Sequence, residues 1–228
     1  MNLDAIGDSL PLYLEGLATT LELLVLALAI GLAAALPLAV ARADPRPWLR
    51  WPVWCFTYVM RGTPMLVQLF LIYYGLAQFA AVRDSVLWPW LSNAWFCAVL
   101  SFGLNTCAYT VEIVAGAMRA TPAGEIEAAR SLGFTSWQTL RRIVLPSALR
   151  RSLPAYGNEA IMMLHGTSLA SIVTLLDLTG AAREVNSRYF LPFEAFVTAA
   201  AFYLVLTFVL VALFRRAEAR WLAYLQAR

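Results

Sequence analysis

The informative side chains are the few charges and hydroxyls lying inside or beside long apolar runs. Glu112 closes a stretch, Ser85 to Val111, that holds no Asp, Glu, Lys or Arg. An ionised carboxylate at mid-membrane costs about 2.5–3.5 kcal/mol on insertion scales, so it requires a cavity or a partner. A cationic amino-acid side chain or an α-ammonium group is one suitable partner. A structural bond to Arg61 or to a nearby hydroxyl is the other. Asp177 follows Ser168, Ser171 and Thr174; it suits either capture of an arginine or lysine from outside or plain solvation among headgroups. The hydroxyls of Thr167 and Ser168 can bond an amino-acid carboxylate along a path, or can simply join helices. Arg61, beside Gly62 and Pro64, either snorkels to the interface or marks a hinge or gate. His165, the single histidine, suits proton sensing or substrate contact, or a bonded packing role. Glu159 reads as a charge near a helix N-terminus. This is binding chemistry, with no catalytic residue assigned. The spacing of Cys55, Cys97 and Cys107 suits neither a zinc site nor a disulfide framework, and no metal or cofactor is expected.

These residues must be held by membrane helices. Of 228 residues, 61% are hydrophobic and 14% charged, against about a quarter charged in soluble domains, and the mean hydropathy is +0.68. That excludes a disordered chain, a nucleic-acid-binding protein and an ordinary cytosolic enzyme. Five stretches lack charge: Leu23 to Ala41, Gly62 to Val82, Ser85 to Val111, Ala160 to Leu176 and Ala195 to Phe214. A span needs roughly 20 apolar residues; the fourth stretch is the shortest and needs help from its ends. Backbone amides in hydrocarbon must bond within their own segment, so runs this long and uniform must be helices. The flank of the first carries Asp4, Asp8 and Glu15 and no basic residue, so a retained helix is expected rather than a cleaved leader. The expected fold is all-α and polytopic, with five transmembrane helices over about 14–41, 54–82, 91–118, 158–177 and 194–215 in a single domain over 1–228.

All 17 basic residues are arginine. Arg42, Arg46 and Arg50, the run from Arg119 to Arg151, and Arg215, Arg216, Arg220 and Arg228 all fall on one side of a five-span chain. The positive-inside rule makes that side cytoplasmic, the N-terminus external and the C-terminus internal. Trp48, Trp51, Trp88, Trp90 and Trp221 suit interfacial anchors.

The loop 119–157 on that side carries helix punctuation. Thr121 and Pro122 suit an N-cap and first helical position, and Glu125 and Glu127 lie in the opening turns. Gly133 suits a left-handed stop. Thr135 with Gln138 reads as a capping box opening a second helix, with Trp137, Leu140 and Val144 on one side. Pro146 is expected to interrupt or bend it, and Pro154 to mark a further break. The small side chains of Ala128 and Ala129 would let another surface approach closely. The pattern fits a docking element or a simple interfacial hairpin.

Glu127-Ala128-Ala129, Gly133, Ile143 and Leu145-Pro146 resemble, in type and spacing, the EAA signature of membrane subunits of ATP-binding-cassette importers. Arg61-Gly62-Thr63-Pro64, Val67-Gln68-Leu69-Phe70 and Asn105 to Thr110 with Glu112 look like the polar amino-acid uptake branch. Gly124-Glu125-Ile126-Glu127, Leu145 to Arg150, Met163-Leu164-His165 and Phe214 to Glu218 narrow the likeness to M-type permeases of histidine/lysine/arginine/ornithine importers. Many relatives have Gln where Glu125 stands and Lys where His165 stands; both departures follow the M-type pattern. The resemblance implies a type I importer transmembrane fold in the bacterial inner membrane. It implies a coupling helix carrying Glu125, Glu127, Ala128, Ala129 and Gly133 that seats in an ATPase subunit. It also implies two ATPase subunits, a Q-type second permease, a periplasmic binding protein and a basic amino-acid substrate, with opines or other polar amino acids as the alternative. The chain has no GxxxxGK[ST] loop, so ATP is bound and hydrolysed by a partner. Without the resemblance, a secondary transporter or channel lacking an ATPase would use the same spans and polar sites.

Overall fold

The computed structural model describes residues 3–222; Arg228, counted above among the cytoplasmic arginines, lies outside them. A short helix α1 (Leu3–Asp8) leads into α2 (Leu10–Ala43), and α3 (Pro47–Gly62) and α4 (Met65–Phe70) follow. A π-helical turn and a 3-10 turn carry α4 on to Gln78. Two four-residue turns of helix, α5 (Ala80–Arg83) and α6 (Trp88–Leu91), precede α7 (Ala94–Arg119). Then come α8 (Ala123–Ser131), α9 (Ser136–Thr139), α10 (Leu145–Gly166), α11 (Leu178–Tyr189) and α12 (Pro192–Trp221).

Among the described residues, α2, α7 and α12 are long and apolar enough to cross a membrane unaided, and the number rises to five if each of two bent helix pairs is one span. The second span is therefore not one straight helix. It breaks between Gly62 and Met65, where α3 and the segment to Gln78 meet at 104°. Pro64 supplies no amide hydrogen and disfavours a helical residue before it, and Thr63 is extended (φ −112°, ψ 144°). Gln68 satisfies the freed carbonyls: its Nε2 donates to Met60 O at 2.6 Å and Thr63 O at 3.1 Å. The fourth span, by contrast, is longer than its charge-free run. Helix continues from Ser136 through a π-helical turn (Leu140–Val144) into α10. Pro146 follows close on that π-helical turn, so regular α-helical bonding is interrupted there although the helix goes on. Pro154 is absorbed within α10, and the break expected at it is absent.

The core is built on α2 and α7. Gly31 lets the backbones meet: a Cβ there would press on Thr106 and lie 3.2 Å from both Cys107 N and Gly103 O. Leu23, Leu24 and Ala27 of α2 pack with Ala98, Val99 and Phe102 of α7, Leu69 of α4 and Met163 and Leu164 of α10. Cys97 and Cys107 are buried, the latter with Ala35, Val53 and Val111, while Cys55 is exposed. At the other end, Tyr13 packs with Leu178, Ala181, Ala182 and Val185 of α11, and its hydroxyl donates to Ala195 O at 2.9 Å. Helix α11 lies in what the sequence left as a connection; its apolar side chains at 178, 181, 182 and 185 follow helical spacing. Only 6% of the apolar stretch of α12 is fully buried; Phe202, Tyr203, Leu206 and Leu210 pack against the core, and the exposed side, with Leu204, Val205 and Phe208, is left for lipid or a neighbouring subunit.

Candidate functional site

Two places concentrate chemistry. The first is the loop between α7 and α10. Helix α8 begins one residue later than expected, with Pro122 as its N-cap. Thr121 is used otherwise: Arg151 of α10 donates to Thr121 Oγ1 at 2.9 Å, to Ala120 O at 3.0 Å and to Ser147 Oγ at 2.9 Å. One guanidinium thus ties the end of α7 and the start of α8 to the base of the fourth span. The far end of α8 closes as a Schellman motif. Gly133 is left-handed at φ +80°, its amide donates to Arg130 O at 2.9 Å, and Phe134 N donates to Ala129 O at 3.1 Å. Thr135 and Gln138 form the reciprocal capping box. Arg142 lies 5.7 Å over the Phe134 ring and braces the turn. Ala129 is buried against the chain itself, whereas Glu125, Glu127 and Ala128 are exposed. Leu132 and Trp137 are also exposed, at 78% and 65%. The loop presents two carboxylates and two large apolar groups to whatever meets it.

The second place is a cavity of about 520 Å³ at the break in the second span, between the α3–α4 junction, α7 and α10. Its polar lining is Arg61, Thr63, Asn105, Tyr109, Glu159 and His165. The Arg61 guanidinium lies 5.1 Å from the centre of the Tyr109 ring, and Glu159, only 8% exposed, interacts electrostatically with Arg61. Asn105 donates to Gln68 Oε1 at 2.9 Å, so the residue that stitches the break is itself anchored to α7. Glu159 is well inside α10 rather than near its start, because the helix extends further back than its charge-free run. His165 Nε2 lies 3.2 Å from Thr207 Oγ1 of α12. It also opens on a neighbouring cavity of about 470 Å³, lined by Ser168, Tyr203 and Thr207.

The remaining candidates are placed apart from this cavity. Glu112 accepts from Arg42 Nε at 2.6 Å and from Thr57 Oγ1 at 2.8 Å, with Arg119 at 3.9 Å. It joins α2, α3 and α7, and Arg61 is not its partner. Asp177 is fully buried. Its carboxylate caps α11, accepting from Gly180 N at 2.9 Å and Thr179 N at 3.3 Å, and accepts from the Tyr203 hydroxyl at 3.2 Å. Headgroup solvation does not describe it. The hydroxyls of Thr167 and Ser168 both donate at 2.7 Å to carbonyls three residues back; Thr167 is buried and only Ser168 reaches a cavity. No group of His, Cys, Asp and Glu among the described residues could hold a metal ion.

This arrangement of broken and whole spans around a protruding loop matches known proteins. Residues 16–222 match the family of binding-protein-dependent transport system inner membrane components. The chain belongs to this family. It is 49% identical to the histidine/lysine/arginine/ornithine transport system permease protein HisM of Salmonella typhimurium, over 93% of this chain and 91% of that one. It is 43% identical to the octopine transport system permease protein OccM of Rhizobium meliloti, over 90% and 84%. A crystal structure of an amino acid ABC transporter with histidines superposes with a TM-score of 0.86 at 34% identity, covering 96% of this chain and 99% of that one. As a permease component the chain is one part of an ABC importer. A second permease, ATPase subunits and a substrate-binding protein complete the assembly, and ATP hydrolysis belongs to the ATPase.

Proposed function

We propose that this chain and a Q-type permease form a heterodimeric path for basic amino acids, histidine, arginine, lysine or ornithine. Two ATPase subunits work it from the cytoplasm and a periplasmic binding protein feeds it. The observation that carries the substrate reading is the cavity at Gly62–Met65, where Arg61 and the buried Glu159 face one space. A guanidinium answers an α-carboxylate, and a carboxylate answers an ammonium or a cationic side chain. Arg61 and Ser168 stay within the path, joined by Glu159 and His165. Glu112, Asp177 and Thr167 hold the helices that shape it. The relatives' substrates point the same way, and the octopine system keeps an opine importer as the second reading.

On the cytoplasmic side, Glu125, Glu127 and Ala128 meet the ATPase subunit, and Ala129 and Gly133 set the pose in which they do so. Their exposure beside Leu132 and Trp137 supports this. The placement of the arginines supports an external N-terminus and an internal C-terminus. The whole of 1–228 then acts as one permease unit.

The test is uptake of labelled arginine, lysine, histidine, ornithine and octopine by the assembled transporter in liposomes, wild type against Glu159→Gln. Basic amino acids should be carried in wild type, with entry lowered tenfold or more by the substitution, on the order of the loss of one charged hydrogen-bonding partner. Octopine alone as cargo would favour the second reading, and equal uptake by both proteins would remove Glu159 from the path.

A further inference from the structure

A third cavity, about 330 Å³, opens where the end of α2, the start of α3 and the end of α7 meet. It is lined by Arg42, Arg50, Arg119, Trp51 and Trp54 and by the turn Ala43–Pro45. Three guanidinium groups, those of Arg42, Arg50 and Arg119, line it with one carboxylate, Asp44; Arg46 and Glu112 lie outside the lining, paired with Asp44 and Arg42. Both acids are engaged. Asp44 accepts two bonds from Arg46 at 2.9 Å each, and these bonds pull its carboxyl down to about 2. Glu112 takes the Nε of Arg42. The Arg50 guanidinium makes no hydrogen bond or ion pair among the described residues, and that of Arg119 reaches only the 3.9 Å contact with Glu112. The cleft therefore keeps uncompensated positive charge. Trp51 and Trp54, in edge-to-face contact at 5.0 Å, are exposed at its rim; indoles settle at headgroup depth. One turn before Arg42, Leu38 enters another cavity between the same three helices, about 340 Å³, whose wall includes Ile30, Val53, Phe56 and Leu104 and carries no charged side chain.

We propose that this cleft binds the phosphate headgroup of an anionic phospholipid, with an acyl chain lying along the apolar cavity beside it. Basic clefts between membrane helices recognise such headgroups. A free anion would gain nothing from the indole rim or the apolar cavity, and a docked protein would not need an apolar groove between the membrane helices. The site lies directly on the network joining α2, α3 and α7, and Arg119 is the last residue before the docking loop, so the lipid would steady the base from which α8 projects. The inference does not depend on which substrate is carried.

The test is native mass spectrometry of the complete importer, purified with its partner subunits in detergent and titrated with phosphatidylglycerol, phosphatidylethanolamine or inorganic phosphate. Each arginine near an anionic surface contributes about 1 kcal/mol, a factor of about five. Arg50→Gln should weaken phosphatidylglycerol binding about fivefold, and Arg50→Gln with Arg119→Gln about thirtyfold, to the level of phosphatidylethanolamine. The charge-preserving pair Arg50→Lys with Arg119→Lys should keep the preference. Should the double variant fail to assemble, Arg50→Gln alone decides, because that guanidinium makes no hydrogen bond or ion pair among the described residues. Equal binding of the two lipids, or no change in the Gln variants, overturns the proposal. Displacement of the lipid by inorganic phosphate would mark a free-anion site, and loss of a partner subunit with lipid binding intact would mark a protein interface; either also overturns it.

Discussion

Replacing Gly133 by valine strains the turn that aims α8. The residue sits at φ +80°, where an L-residue costs about 1–2 kcal/mol and a β-branched one is a severe outlier. No atom lies within 4 Å of a Cβ placed there, so the cost lies in the local backbone conformation. Little resists relief of that strain, because Ala129 is the only buried residue of α8. About 1–2 kcal/mol changes a conformer ratio roughly 5–30-fold. The ratio of the native pose of α8 to its alternatives should fall by that factor, and uptake per ATP hydrolysed should fall as those alternatives become populated. The assay is the assembled importer in liposomes, with hydrolysis and uptake measured on the same sample. Gly133→Asn should couple almost normally, since asparagine tolerates the left-handed region. Gly116→Ala, in α7 with open space and ordinary dihedrals, should be silent. Normal coupling in Gly133→Val, or equal damage from asparagine and valine, would refute the reasoning.

Three further substitutions probe the same framework. Ala128→Trp, on the exposed side of α8, should abolish co-purification of the ATPase subunit while membrane insertion stays intact; Ala129→Trp, facing inward, should instead lower the amount of folded protein. Arg151→Gln removes three charged-donor hydrogen bonds and should cost about 2–3 kcal/mol after solvent screening, read as faster proteolysis between residues 119 and 135; an unchanged cleavage rate would show that the clamp holds nothing. Glu112→Gln strands Arg42 in a site where each side chain is about 15% exposed and should destabilise by about 3 kcal/mol. Arg42→Gln added to it should restore part of that loss in detergent unfolding, and a simple sum of the two losses would deny the pairing.

Features fixed by one stretch of chain were readable before any coordinates. The apolar runs had to be helices because hydrocarbon offers their amides no other partner. Gly133 and the pair Thr135 and Gln138 declare their geometry within four residues. What the sequence could not disclose was which distant group answers each exposed need. Gly62 and Pro64 announce a weakened helix, but not a 104° turn. That turn requires Gln68 to reach back to two carbonyls and Asn105 to hold Gln68 from another span. Pro146 and Pro154 look like breaks by the same local rule, yet the helix goes on past a π-helical turn at the first and unbroken through the second. Asp177 carried a capping signal, two residues before Thr179 and three before Gly180. Its place after a run of hydroxyls instead suggested an exposed mouth, whereas Gly16 brings α2 against its backbone, with Asp177 O 2.7 Å from a Cβ placed there, and the carboxylate is closed off from solvent. For Glu112 the sequence offers Arg61 or a nearby hydroxyl; the hydroxyl of Thr57 does bond it, but the arginine is Arg42, 70 residues away, on a helix that meets α7 closely at Gly31. Polar groups in a membrane protein are therefore legible as demands, and the close helix packing decides which residue meets each one.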